Sequence, residues 1–178
     1  PAIFNDEKLN WMNGQYIKKL SPAMLTDLAL PHLLEAGLLT ALERGEWVTA
    51  QGKQVNQKFI QAAIALAQPR LTSPKDAVDE IGYLFVESDY GIDRLPWKGA
   101  RIESVRANLL AIRKYLETMK EEDYTRESSE RLIKKWIEEQ GYSTGDILWP
   151  LRVALTGREK SPSPFEVLSV RGKESSIE

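Results

Sequence analysis

The chain has 178 residues, 42% of them hydrophobic and 28% charged, which suits one ordinary domain or two small ones around a buried core and excludes a disordered chain. It has no cysteine, so disulfides, thiolate zinc sites and cysteine nucleophiles are excluded, and its one histidine, His32, sits among Leu30, Pro31, Leu33 and Leu34, where a packing role outweighs a ligand role. The net charge is −2 but uneven: residues 1–97 hold 9 basic and 12 acidic side chains, while residues 149–173 hold 5 basic against 2 acidic, a patch that could meet a polyanion but from charge alone is better read as a solvated helix face.

Helix signals follow one another along the chain. Ser21-Pro22 is an N-cap followed by proline at the first helical position, and the run it opens stops at Gly37, with a kink or break expected at Pro31. Residues 48–55 come nearest to strand alternation, and a short loop explains them as well. Asn56 to Gln68 is a second helix, closed by Pro69. Ser73-Pro74 repeats the cap, with Val78, Ile81, Leu84 and Phe85 as its apolar face. Pro96 and Gly99 flank Trp97 between two helical patterns, so subdomains of 1–96 and 97–178 are expected.

Ile102, Val105, Leu109, Ile112, Leu116 and Met119 recur in alternating steps of three and four, the spacing of a long helix with one buried stripe. Glu121, Glu122 and Asp123 mark an exposed turn. Ser129 to Gln140 is helical, turns Leu132, Ile133, Trp136 and Ile137 inward, and ends at Gly141. Ser143 or Thr144 caps the next helix, which runs to Leu155 and stops at Gly157. Ser163-Pro164 opens a last short helix ending near Gly172. The whole reads as all-α. No apolar run nears the ~20 residues of a membrane helix, and Pro1 to Asn10 has no basic-then-apolar leader.

No catalytic constellation is visible, and no metal-ligand set. Gly157 to Ser161 contains glycine, lysine and serine but lacks the second glycine and preceding strand of a phosphate loop. Recognition is what remains. Five tryptophans are many for this length, and indole rings with arginine forks suit unpaired bases. Trp136 fits a core stripe, whereas Trp11 and Trp149 lie beside polar or special positions and are the candidates for contact. No helix has an exposed face rich in arginine and asparagine, which ranks DNA last. A protein–protein scaffold docking through the acidic first half is the competing class, and it predicts no salt-dependent RNA affinity.

Three stretches, KLNWMNGQYI (residues 8–17), LWPLRVALTG (148–157) and SPSPFEVLSVRGKE (161–174), with Tyr83-Leu84-Phe85 as a weaker match, resemble the C-terminal anticodon-binding region of bacterial-type glutamyl-tRNA synthetases. Their order and spacing match, over nearly the whole chain. The resemblance implies a two-subdomain α-helix cage whose concave side holds the anticodon loop of tRNA(Glu). It implies contacts from Lys8, Trp11, Arg70, Lys134, Arg152, Ser161, Pro162 and Phe165, to which the reading of the tryptophans adds Trp149. Arg152 lies in an intact motif, where an arginine fork suits a base edge and a surface ion pair with a neighbouring glutamate is the plainer alternative. Arginine at position 70 accompanies reading of the third anticodon base as C and rejection of glutamine tRNA. Lys134 stands where some members carry arginine, and Pro164 replaces the more usual apolar residue before Phe165.

The catalytic signatures of that family are absent, so the chain is expected to be an excised or processed piece with no catalytic residue or activity of its own. ATP-dependent glutamylation, with ATP and magnesium, would belong to the enzyme's own N-terminal catalytic domain, its second partner. The expected location is cytoplasmic, with neither DNA nor membrane as a partner.

Overall fold

The structure, a computed structural model, describes residues 5–87 and 89–178. The chain forms two compact units that divide after Glu87.

The first unit opens with α1, Asp6–Ile17, whose N-terminal amides are met by Asn5: its side-chain oxygen accepts from the N–H groups of Glu7 and Lys8 at 2.9 and 3.3 Å. Helix α2, Pro22–Glu35, begins at the Ser21 cap and runs on through Pro31. Pro31 lies on the exposed side, and the missing amide removes one backbone bond while Leu25, Ala29 and Leu33 stay fully buried on the other side. Packing thus holds the helix where local propensity would end it.

Three short strands follow: β1, Leu39–Ala41, β2, Glu46–Thr49, and β3, Gln54–Asn56, paired antiparallel in that order with Leu39 opposite Thr49 and Trp47 opposite Val55. Residues 48–55 are therefore parts of two strands and their turn, not a loop. Each strand is too short for alternation to register, and the turns rest on Gly45 and Gly52, both at positive φ. Helix α3, Gln57–Ala67, is capped by Asn56 and buries Ile60, Ala63, Ile64 and Ala67 against α2. The Ser73-Pro74 cap opens a run of short pieces: one 3-10 turn over Pro74–Asp76, helix α4 over Ala77–Ile81, and another 3-10 turn over Gly82–Leu84. Ala77, Ile81 and Phe85 complete this core, with Phe85 edge-on to Phe59 at 6.0 Å between ring centres.

The second unit takes up residues 89–101, so the division falls after Glu87 and not at Pro96. The reason is local packing. Trp149 donates from its indole Nε1 to the Arg94 carbonyl at 3.0 Å, an Arg94 Nη1 donates to the Gly157 carbonyl at 3.3 Å, and Trp97 lies on Trp149 with ring centres 4.9 Å apart. Gly145 admits this pair: a Cβ built there would sit 2.3 Å from Trp97 Nε1.

Helix α5, Ile102–Thr118, buries Val105, Ile112 and Leu116 as its spacing predicts, but Ile102 is left exposed at its first turn. Helix α6, Arg126–Glu139, starts three residues before the expected Ser129, because Thr125 is the cap. Trp136 lies between Tyr115 and Tyr142, at 5.0 and 5.3 Å between ring centres. Helix α7, Thr144–Thr156, follows Ser143 and stops at Gly157 in the left-handed region. Helix α8, Pro164–Ile177, has its capping box at Ser163 and Glu166 and is interrupted at Gly172, φ 69°, beyond which one further helical stretch follows. Helices α5, α7 and α8 pack together, and α6 packs on α8.

Candidate nucleic-acid interface

In the first unit, α1 is pinned through Gly14 and Ile17, its only buried residues. Gly14 allows close approach of the chain around Leu71, whose carbonyl oxygen would lie 3.4 Å from a Cβ at that position. The far side of the helix faces water. Lys8, Met12 and Tyr16 share that face at a four-residue spacing, with Trp11 one step round from them. Trp11 is 63% exposed and Tyr16 65%. An indole and a phenol in solvent beside a lysine form a platform on which bases can stack.

Arg70 belongs to a 3-10 turn, Gln68–Arg70, that is tied down on both sides. Gln68 Nε2 donates to the carbonyls of Ile17 and Leu20, each at 2.9 Å, satisfying one oxygen at the end of α1 and one in the turn that follows it. Asp76 Oδ2 accepts from Thr72 N, Thr72 Oγ1 and Ser73 N at 3.0, 2.8 and 2.7 Å. Arg70 itself donates from Nε to Glu80 Oε2 at 2.5 Å. Its two Nη groups have no partner among the described residues.

In the second unit, Arg152 lies on α7, one turn beyond Trp149. Among the described residues it pairs with no carboxylate. Its Nη1 makes only a long contact, 3.5 Å, to the Glu159 carbonyl, and its Nε is buried with no acceptor. The surface ion pair weighed against a binding role is therefore not formed. Lys134 of α6 binds Glu130 at 2.5 Å and lies 6.0 Å from the centre of the Phe165 ring of α8, so these two expected contacts are neighbours. Phe165 is only 5% exposed, Pro162 is buried, and Ser161 Oγ donates to the Pro162 carbonyl at 2.9 Å. These three shape the start of α8 and offer little side-chain surface. Trp149 has its indole N–H already engaged by Arg94.

The structure thus gathers Lys8 and Trp11 on one helix, fixes Arg70 on a braced turn, and groups Lys134 with Phe165. Sequence reasoning passed over Tyr16, Gln68, Glu80 and Arg94. Only Tyr16 carried a usable signal, its spacing from Lys8 and Met12. No group of three or more His, Asp or Glu side chains able to hold a metal occurs among the described residues, nor any helix long and apolar enough to cross a membrane.

The fold is that of an all-α anticodon-binding domain of the kind found in glutamate–tRNA ligase structures. It matches 98% of this chain to 31% of a glutamate–tRNA ligase structure from Elizabethkingia meningosepticum, with a TM-score of 0.74 at 21% identity. A glutamate–tRNA synthetase from Elizabethkingia anophelis gives 0.70 at 20% identity, covering 98% of this chain and 30% of that one. The chain belongs to the anticodon binding domain family, which matches residues 24–178. Among curated relatives, the glutamate–tRNA ligase of Thermus thermophilus is 31% identical over 176 residues, 98% of this chain and 34% of its own length. That of Clostridium botulinum is 31% identical over 180 residues, 99% of this chain and 34% of its own. The chain spans about a third of the length of the relatives it matches. The likeness to glutamyl-tRNA synthetases carried by the three motifs, and the all-α fold it implied, both hold.

Proposed function

We propose that this chain reads the anticodon loop of tRNA(Glu) on behalf of a glutamate–tRNA ligase. Glutamylation, with ATP and magnesium, would be the work of a catalytic domain outside these residues, and the setting would be the cytoplasm. The observation that carries this reading is the solvent-facing side of α1, where Lys8, Trp11 and Tyr16 present one charge and two rings to water. Unpaired bases stack on such rings, and a nearby ammonium meets the phosphates between them.

Arg70 and Arg152 supply the reading groups. Each guanidinium presents parallel donors with no carboxylate occupying its Nη edge. Cytosine offers two adjacent acceptors, O2 and N3, to such a fork. Guanine presents N–H donors at the corresponding edge and is repelled. This chemistry supports C as the third anticodon base and rejection of the glutamine tRNA that carries G there. Lys134, held by Glu130, suits a phosphate better than a base. The protein–protein scaffold reading has no support beside the family match.

The test is chemical-shift mapping of the chain with an anticodon stem–loop of glutamate tRNA, then with the third anticodon base changed from C to G. Shifts centred on Trp11, Arg70 and Arg152, and weaker binding of the G loop by roughly tenfold, are expected for loss of one bidentate contact. No shifts at millimolar RNA and low salt would sink the proposal.

A further inference from the structure

We infer that Glu80 is a positioning residue for base discrimination: it orients the Arg70 guanidinium and neutralises it, turning a generic phosphate binder into a reader of a neutral base edge. The inference rests on the proposed anticodon-reading role. It concerns a residue to which neither the sequence motifs nor the family resemblance gave any part.

Three observations carry it. The first is where the contact is made. Glu80 Oε2 takes the Nε–H of Arg70 at 2.5 Å and nothing else, so it fixes the plane of the fork while leaving the Nη pair open. An arginine side chain otherwise samples many rotamers, and holding it beforehand lowers the ordering cost of binding. The second is what holds the holder. Glu80 rises from α4, whose Ala77 and Ile81 are fully buried, and Arg70 from the turn that Gln68 ties to the end of α1. Both partners therefore stand on rigid supports, as a precise contact requires. The third is how this pair differs from the others. Its arginine side chain is 36% exposed, whereas the cations of Arg113–Glu117 and Lys134–Glu130, each spanning one helical turn, are 53% and 55% exposed. Arg70–Glu80 joins two separate pieces of chain; Arg126–Glu166 does so too, but at 3.7 Å and with an arginine side chain 58% exposed.

The charge has a second effect. A phosphate approaching Arg70 also approaches the Glu80 carboxylate and is repelled. A base edge presents only partial charges and is not. Removing Glu80 should therefore weaken selectivity while strengthening non-selective attraction. A residue that merely stabilised the fold would produce neither change.

The experiment measures affinity of the 178-residue chain for anticodon stem–loops ending in C and in G, across a salt series, for wild type, Glu80→Ala and Glu80→Gln. Thermal unfolding and the arginine Nε–H resonance of Arg70 are followed alongside. In Glu80→Ala the C-over-G ratio should fall about fivefold, from roughly ten to about two, and the salt dependence should steepen by about 0.7 in slope, the effect of one added phosphate contact to a single strand. Glu80→Gln keeps an acceptor oxygen but no charge. It should restore the ratio to within about twofold of wild type while keeping the steeper slope. A wild-type ratio in Glu80→Ala, or an equal loss of affinity for both loops, overturns the inference and leaves anticodon reading intact. So does a glutamine variant no better than alanine. A wild-type chain that binds neither loop, or both alike, overturns the underlying reading and this inference with it.

Discussion

At the scale of single residues, chemistry depends on what each polar group has already found. Tyr124 illustrates the strong case. It is buried, its hydroxyl donates to the Leu116 carbonyl at 2.9 Å, and burial together with the nearby Glu121 and Glu117 carboxylates pushes its pKa up to about 12. The folded state therefore favours the neutral phenol. That contribution is fully present below the ordinary tyrosine value of about 10 and is lost as pH rises from there towards 12. The unfolding midpoint should drop across this window, and Tyr124→Phe should flatten the drop at a cost of about 1 kcal/mol at neutral pH, as denaturant titrations at several pH values would register. Tyr115 and Tyr90 are shifted the same way, first of all by burial, so the variant should reduce the alkaline slope without abolishing it. Arg152 illustrates the opposite case: a guanidinium with one long contact remains available for another partner.

Among elements, the legible ones announced themselves by their ends. Ser21, Asn56 and Ser163 each accept from an amide in the first turn of the helix they precede, and Gly157 and Gly172 stand at positive φ where helices stop. A cap is a local interaction, so it can be read locally. The sheet was not legible because its three strands are held by pairing with one another, not by any pattern within one. Helix α1 was passed over as a helix for a related reason: with only Gly14 and Ile17 buried, it has no apolar stripe to betray it. The Arg70–Glu80 contact, between a turn and a separate helix, leaves no trace in spacing at all. Pro31 shows tertiary packing overruling a local rule. If α2 persists there only because Leu25, Ala29 and Leu33 are locked in place, removing the proline should help. Pro31→Ala is expected to stabilise the chain by about 1–3 kcal/mol, visible as a higher melting temperature.

For the molecule as a whole, charge sets the style of binding. A net charge of −2 gives little long-range pull on RNA. Of the candidate cations, Arg70 and Lys134 already face carboxylates, leaving few free to displace counterions. The logarithm of affinity for an anticodon stem–loop should then fall with the logarithm of salt at a slope of only about −1 to −2, that of two or three phosphate contacts to single-stranded RNA. A much steeper slope would mean that phosphates, not bases, dominate recognition. The family match over residues 24–178 was foreshadowed by the motifs at 148–157 and 161–174, while the extent of the two units was not. Residues 89–101 carry proline and glycine, the usual marks of a linker, and it is their hydrogen bonds to α7 and its end, with the Trp97–Trp149 ring contact, that reveal that they belong to the second unit.

The indole of Trp97 over Gly145 has a consequence for how this sequence can drift. Position 145 admits no larger residue while Trp97 keeps its place, and Trp97 fits only while position 145 lacks a side chain. The two positions are bound to a joint history. A lineage moving towards alanine at 145 meets no clash if a smaller side chain comes first at 97, whereas the opposite order forces the indole to shift.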